Sequence, residues 1–383
     1  MESTGASLRR TLRVGEKIEL RIEKVAHGGH FIARIDGAVI FIRHGIPGER
    51  VIVEIESVGK SFSRGNVVQI LELSKDRVTP PCAYAGICGG CDFQHIEIKA
   101  QRALKSDVIS EQFSRIAKRE LLIDGAPIVV EEIAEPLHWR TRTGVNISSK
   151  GEMGYYKSRS HDVVAISDCP ALVPELEFAE KARKKYSPGT RIDLAVPNYR
   201  VGNHTFQVSP DSFWQSHKDA PRVLTEAVIA YADLRDGDYV LDLYGGVGLF
   251  TAAIGDYLGT TGHIELIEGS KSATADAKVN FAHDPRVEIR TGDVGKILPR
   301  ISKADVIVLD PPREGAGRDV ISEIGRLRAR RVVYVACDPA ALARDVTYLE
   351  EAGYRMVTMR AFDLFPMTHH IECVALFEYS EVS

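Results

Sequence analysis

Cys337 ends the apolar run Arg331-Val-Val-Tyr-Val-Ala336 and is followed directly by Asp338-Pro339. A cysteine that only fills a core normally lies within its strand. One at the carboxyl end of a strand stands at the sheet edge where open α/β proteins hold ligands, and is placed to act as a nucleophile. Glu372 opens a second apolar run, 373–377. On its own it reads equally as a solvated carboxylate. With a thiol it completes a chemistry. Carbon 5 of a uracil is a poor nucleophile until a thiolate adds to carbon 6, and a base must then remove the carbon 5 proton after an electrophile has been taken up.

The electrophile needs a carrier, and the run Tyr239-Val-Leu-Asp-Leu243 leads into Tyr244-Gly-Gly-Val-Gly248. Glycines there allow a tight turn and a close approach of backbone to a nucleoside cofactor, although Gly-Gly-x-Gly alone also describes a plain turn. The next strand-like run ends in Glu268, suited to binding both ribose hydroxyls. Asp293 follows a third run and reads either as an adenine-side contact or as a loop cap. The fourth run ends in Asp310-Pro-Pro-Arg-Glu-Gly315, whose prolines stiffen the loop beside the ligand crevice.

Three further cysteines, Cys82, Cys88 and Cys91, form a tight x5, x2 group, and Cys169 in Ser167-Asp-Cys-Pro170 can supply a fourth soft ligand. Four thiolates hold tetrahedral zinc or a [4Fe–4S] cluster, and spacing does not separate the two. Six cysteines in 383 residues do not suggest a disulfide framework.

These groups need a scaffold of several domains, which 383 residues can supply. Residues 14–73 alternate in five short β-rich runs separated by Gly28-Gly29, Asp36-Gly37 and Pro47-Gly48, the pattern of a small oligonucleotide-binding-like barrel. A helical pattern runs from about Ile98 to Arg119, and strand-like runs lie near 143–148, 154–156 and 162–166. From about Pro221 helices alternate with apolar strands, which predicts a mostly parallel sheet covered on both faces. The formal charge of −4 excludes a uniformly basic surface but not local basic patches such as Lys181, Arg183, Lys184 and Lys185. No apolar run approaches membrane-spanning length and Met1 to Arg10 shows no signal-like stretch, so a cytoplasmic location is expected.

Several motifs in order are more specific than any one. Cys82-x5-Cys-Gly-Gly-Cys91-Asp-Phe-Gln-His95, Phe206-Gln-Val-Ser209 to Phe213-Trp-Gln215, Leu241-Asp-Leu-Tyr-Gly-Gly-Val-Gly248, Leu309-Asp-Pro-Pro-Arg313, Cys337-Asp-Pro339 and His370-Ile-Glu-Cys-Val374 together resemble the RNA 5-methyluridine methyltransferase family. The similarity is to its form with a TRAM domain and an iron–sulfur cluster, and it runs over nearly the whole chain. It implies an α/β protein in three parts: a TRAM-like RNA-binding β-barrel at 1–74, a central α+β iron–sulfur domain at 75–204 and a Rossmann-like class I methyltransferase domain at 205–383. It implies cluster ligation by Cys82, Cys88, Cys91 and Cys169. S-adenosylmethionine contacts are implied from Gln215, Tyr244, Glu268, Asp293 and Asp310, with Cys337 as nucleophile and Glu372 as base.

The implied substrate is a uridine in structured RNA, with 23S ribosomal RNA favoured and the thymine loop of transfer RNA as the alternative, and the implied state is a monomer. Two other classes remain: an RNA-binding cluster protein without catalysis, and a methyltransferase acting on an amine through the Asp-Pro-Pro loop. Three positions depart from the family's pattern. Gly245 stands where a cysteine is frequent, and Leu249 and Asp338 where asparagine is frequent. Asp338 places a negative charge beside the nucleophile, which opposes thiolate formation unless it is paired.

Overall fold

The structure is a computed structural model and describes residues 11–380, so the reading of Met1 to Arg10 lies outside the described residues. Six strands form the first sheet: Lys17–Arg21, Lys24–Ala26, His30–Ile35, Ala38–Arg43, Arg50–Val58 and Ser63–Glu72. Their spatial order is first, fifth, sixth, fourth, third, second. All neighbours are antiparallel except the fourth and sixth. Five of the six were legible because apolar residues recur with period two: Ile18 and Leu20, then Val51, Val53 and Ile55, all buried. Lys24–Ala26, at three residues, is too short to show a period.

The predicted helix forms over Ile98–Gln112, starting at Glu97, whose side chain accepts from Ala100 N, and continues as a π-helical turn over Phe113–Ala117. The three middle strands are Arg142–Ile147, Met153–Tyr156 and Val163–Ala165. A fourth, Arg191–Ala195, completes their antiparallel sheet, and a hairpin pairs Tyr199–Val201 with His204–Phe206. Neither of these was read from the sequence.

The large sheet has eight strands in the order Val287–Thr291, His263–Glu268, Tyr239–Leu243, Val306–Leu309, Arg331–Ala336, Glu372–Tyr379, Tyr354–Phe362, Val130–Glu131. The first five are parallel, and Glu372–Tyr379 runs antiparallel to both neighbours. Strand order reverses between Tyr239–Leu243 and Val306–Leu309, so the glycine turn and the Asp-Pro-Pro loop leave adjacent strands in opposite directions and open a crevice between them. The sheet core is mostly apolar, with Val240, Leu241, Val306, Ile307, Val332 and Val333 all at 0% exposure, and it also encloses the carboxyls of Asp242 and Glu265.

The loop of residues 363–371, which delivers Glu372 to its strand, is tied to the long helix and to the segment after Cys91. Lys105 Nζ donates to Asp363 Oδ1 at 2.6 Å and to the Phe365 carbonyl at 3.1 Å, Gln101 Oε1 accepts from Met367 N, and Asp92 Oδ1 accepts from His369 N. Both members of the Lys105–Asp363 pair are buried. Removing one partner of such a pair leaves an uncompensated charge in the interior. Lys105→Met is therefore expected to cost about 3–5 kcal/mol, measured by denaturant unfolding. A loss under 1 kcal/mol would show that the pair does not hold the loop.

Candidate active site

The ends of six strands and the segment before one helix meet around one cavity of about 650 Å³. Cys337 and Glu372 line it from adjacent antiparallel strands, Ala336 being paired with Cys373 in the register. Asp310 and Arg313 come from the loop after Val306–Leu309, Tyr244 and Gly246 from the glycine turn, Glu268 and Asp293 from the two strand ends beyond it, and Gln215 from the segment before the helix Ala220–Ala232. All seven residues expected at the catalytic and cofactor positions thus face a single space.

The local sequence explains how each is held. In the glycine turn Tyr244 takes φ 62°, and at Gly248, φ 97°, a side chain would run into the Phe281 ring. At Gly246, φ 56°, a Cβ would meet nothing within 4 Å, so the backbone is open to the cavity and a ligand can lie directly against it. Gly245 is crowded instead: a Cβ would stand 2.7 Å from Leu266 and 3.0 Å from Asp242, so a side chain there would require its neighbours to move. Glu268 accepts from Gly246 N at 3.1 Å and from Ser270 N at 2.6 Å. Asp293 caps the short helix Val294–Ile297 through Lys296 N, as its capping reading expects, and also lines the cavity.

Gln215 carries no sequence signal of its own. It is 6% exposed, and its Nε2 points to Asp310 Oδ2 at 3.4 Å. The segment that leads to it is fixed by buried Asp276, which accepts from Ser209 N, Ser209 Oγ and Ser212 Oγ at 2.7–2.8 Å.

The electrostatics are those of acids in a low-dielectric pocket. Burial pushes the Cys337 thiol up to about 12, helped by Glu372, Asp310 and Asp338 and opposed by Arg313. Asp310 is raised to about 7 by burial and by Asp242. Glu372, fully enclosed, is raised well above the carboxylate range by burial and by Asp310, against the pull of Arg313. Arg313 is therefore the local counter-charge. It stands within a motif read for its prolines, and its role was not anticipated, nor was the presence of Phe213, His370 and Arg140 on the cavity wall.

Asp338 does not face the thiol uncompensated. Its Oδ1 caps the helix Pro339–Glu351 by accepting from Ala340 N and Ala341 N, both at 2.9 Å, and its Oδ2 meets His27 Nε2 at 2.9 Å. Burial works against its ionised form, but His27 and the two amides prevail and its pKa is lowered.

Cys82, Cys88, Cys91 and Cys169 line a second, smaller cavity together with Arg140 and Tyr155. Tyr84 N points to Cys82 Sγ at 3.4 Å and Gly90 N to Cys88 Sγ at 3.3 Å. The cysteine loop also braces the middle sheet, since Cys88 bridges Lys157 and Gly89 N donates to the Tyr156 carbonyl.

Residues 11–68 match the TRAM domain model and residues 298–380 the tRNA (Uracil-5-)-methyltransferase model. A protein of Streptomyces avermitilis described as an uncharacterized RNA methyltransferase is 40% identical over 95% of this chain and 99% of its own length. A second, from Corynebacterium efficiens and described likewise, is 35% identical over 96% of each chain. Among solved structures, the Pyrococcus abyssi tRNA (uracil-54, C5)-methyltransferase in complex with S-adenosyl-L-homocysteine superposes with a TM-score of 0.67 at 20% identity, covering 94% of this chain and 99% of that one, and so shares the fold. No helix among the described residues is long and apolar enough to cross a membrane. The chain belongs to the RNA (uracil-5-)-methyltransferase family, in a form that carries a TRAM domain.

Proposed function

We propose that this protein methylates carbon 5 of a uridine in structured RNA with S-adenosylmethionine, through a covalent adduct between Cys337 and carbon 6. The observation that carries the reading is the convergence of Cys337, Glu372 and Asp310 on the one cavity that also receives the glycine turn and Gln215. Tyr244, Glu268, Asp293, Asp310 and Gln215 would hold the cofactor, for which the open backbone at Gly246 leaves room. When bound, it supplies an electrophilic methyl carbon. Cys337 adds to carbon 6 and makes carbon 5 nucleophilic, Glu372 removes the carbon 5 proton after methylation, and the electron pair of that bond expels the Cys337 thiolate.

A uridine reaches such a site only out of its stack. The exposed ring of Phe213 on the cavity wall offers a stacking face. A groove of about 1000 Å³ bearing Arg142 and Arg191 meets the cavity at Arg140 and Ser216. On the TRAM sheet Arg64 lies 4.6 Å above the Phe62 ring. Arg43 and Arg64 crowd Arg159 of the middle domain, whose pKa is lowered by burial and by that repulsion. Basic groups interleaved with aromatic rings suit a polyanion with exposed bases. The working division into 1–74, 75–204 and 205–383 goes with this reading, as do a cytoplasmic site of action and a monomer.

The four-cysteine cavity suits a [4Fe–4S] cluster better than zinc. In a tetrahedral zinc site with Zn–S near 2.3 Å the sulfurs stand about 3.8 Å apart. Here no three of the four cysteine sulfurs lie within 4.8 Å of one another. The N–H groups aimed at Cys82 and Cys88 and the nearby Arg140 cation suit four negatively charged thiolate ligands around either group. Methyl transfer needs no electron, so this group would organise the domain.

The test is capture on 5-fluorouridine RNA. Fluorine at carbon 5 cannot leave as a proton does, so the adduct persists. Ribosomal RNA is the first candidate, on the family resemblance, and transfer RNA the second. A denaturation-resistant, methylated complex mapped to Cys337 with one of them is the expected result. Absence of any adduct, with cofactor binding verified, would overturn the proposal.

A further inference from the structure

We infer that His27, in the turn between the second and third strands of the TRAM sheet, is a positioning residue for Cys337 and acts through Asp338. The inference rests on Cys337 as the nucleophile. It starts from the hairpin of Lys24–Ala26 and His30–Ile35, which docks onto the central and catalytic parts of the chain at three points. Lys24 Nζ pairs with Glu111 of the long helix at 2.6 Å. His27 Nε2 meets Asp338 Oδ2 at 2.9 Å. Gly29, φ 77°, lies so close to Asp92 and His369 that any side chain there would run into both. The His369 ring in turn lies tilted against His370, which lines the active-site cavity.

The chemistry at Asp338 makes the middle contact matter. One carboxylate oxygen is committed to the helix cap, so the other, next in sequence to the nucleophile, has His27 as its partner. The titratable and charged groups facing Cys337 are Glu372 from the neighbouring strand, Asp310 and Arg313 from the Asp-Pro-Pro loop, and Asp338 itself. Against one cation these are three acids. A donor on Asp338 Oδ2 orients the Cys337-Asp338 backbone and holds the carboxylate's second oxygen towards itself, so that less of its field falls on the thiolate. A TRAM module lifted from its seat would leave the thiol misplaced and harder to ionise, so seating of the RNA-binding module is linked to nucleophile reactivity.

The experiment measures iodoacetamide alkylation of Cys337 by peptide mass spectrometry in the full-length protein at pH 8. Wild type is compared with His27→Ala, His27→Gln, Asp338→Asn and the His27→Ala/Asp338→Asn pair. His27→Ala is expected to slow alkylation at least threefold, which corresponds to about half a pKa unit. His27→Gln, which keeps an N–H donor, restores most of the rate. Asp338→Asn, which removes the charge and keeps a cap acceptor, is no slower than wild type, and adding His27→Ala to it changes nothing further. A His27→Ala rate equal to wild type would overturn the inference. So would equal slowing in the Asp338→Asn background, which marks a merely structural effect. Adduct formation on saturating 5-fluorouridine RNA should slow in parallel, with half-saturation unchanged. If the wild type captures neither ribosomal nor transfer RNA while the alkylation differences hold, the nucleophile reading fails and the His27–Asp338–thiol linkage stands.

Discussion

Cys337→Ala is expected to abolish both covalent capture and turnover, with a loss of at least about 10⁴-fold, while cofactor binding by calorimetry changes less than threefold. Uracil carbon 5 has no useful nucleophilicity without addition at carbon 6, and no other side chain on this cavity wall offers a comparable nucleophile. Cys373, next along the partner strand, is fully buried and its thiol is raised further by that burial. Residual turnover above about one part in 10³ would sink the assignment and favour a direct attack by an amine substrate held at Asp310. The pH profile adds a second reading. With the thiol at about 12, the thiolate fraction keeps growing across the neutral range, so the rate of capture should rise from pH 6 to 9, less steeply near pH 7 where Asp310 ionises beside the thiol.

Glu372→Gln separates the steps. An amide cannot take the carbon 5 proton, so methylation proceeds, elimination stalls, and a methylated RNA–protein complex accumulates while turnover falls by about 10²–10⁴. Denaturing gels with labelled cofactor read this directly. Failure of the variant to form any adduct would move Glu372 to an earlier step. The same substitution has a consequence for stability. Burial and Asp310 raise the folded pKa of Glu372 above its unfolded value, so its contribution is fully present below the unfolded pKa, near 4.5, and declines as pH rises towards the folded one. Glutamine has no proton to lose. The variant should therefore gain stability relative to wild type as pH is raised from 5 to 9, as unfolding midpoints at each pH will show. A gain of this kind at a residue needed for turnover is expected where a carboxylate is held in an unfavourable place for function.

Much of the scaffold is written locally. Period-two burial in Lys17–Arg21 and Arg50–Val58, and apolar strands alternating with helices from Tyr239 onward, are consequences of where side chains point along a strand, and they survive in a single sequence. Lys24–Ala26 and the Val130–Glu131 edge strand are not legible in this way. Each is two or three residues long and exists because a neighbouring strand offers hydrogen bonds to it.

The sequence by itself determined the chemical inventory: a thiol at a strand end, a carboxylate at the start of the last strand, a glycine turn and four soft ligands. These follow from residue type and from position relative to strand ends, which are one-dimensional properties. Tertiary structure decided the rest. Gln215 becomes a cavity residue only because Asp276, on a helix far along the chain, gathers the serines before it. Arg313 becomes the counter-charge of Glu372 and Cys337 only because three strand ends converge. Asp338, an electrostatic liability beside the thiol, is hydrogen-bonded by two helix amides and meets a histidine 311 residues away. Charge balance in a buried pocket is a sum over everything within a few ångströms, and that set is defined by the fold.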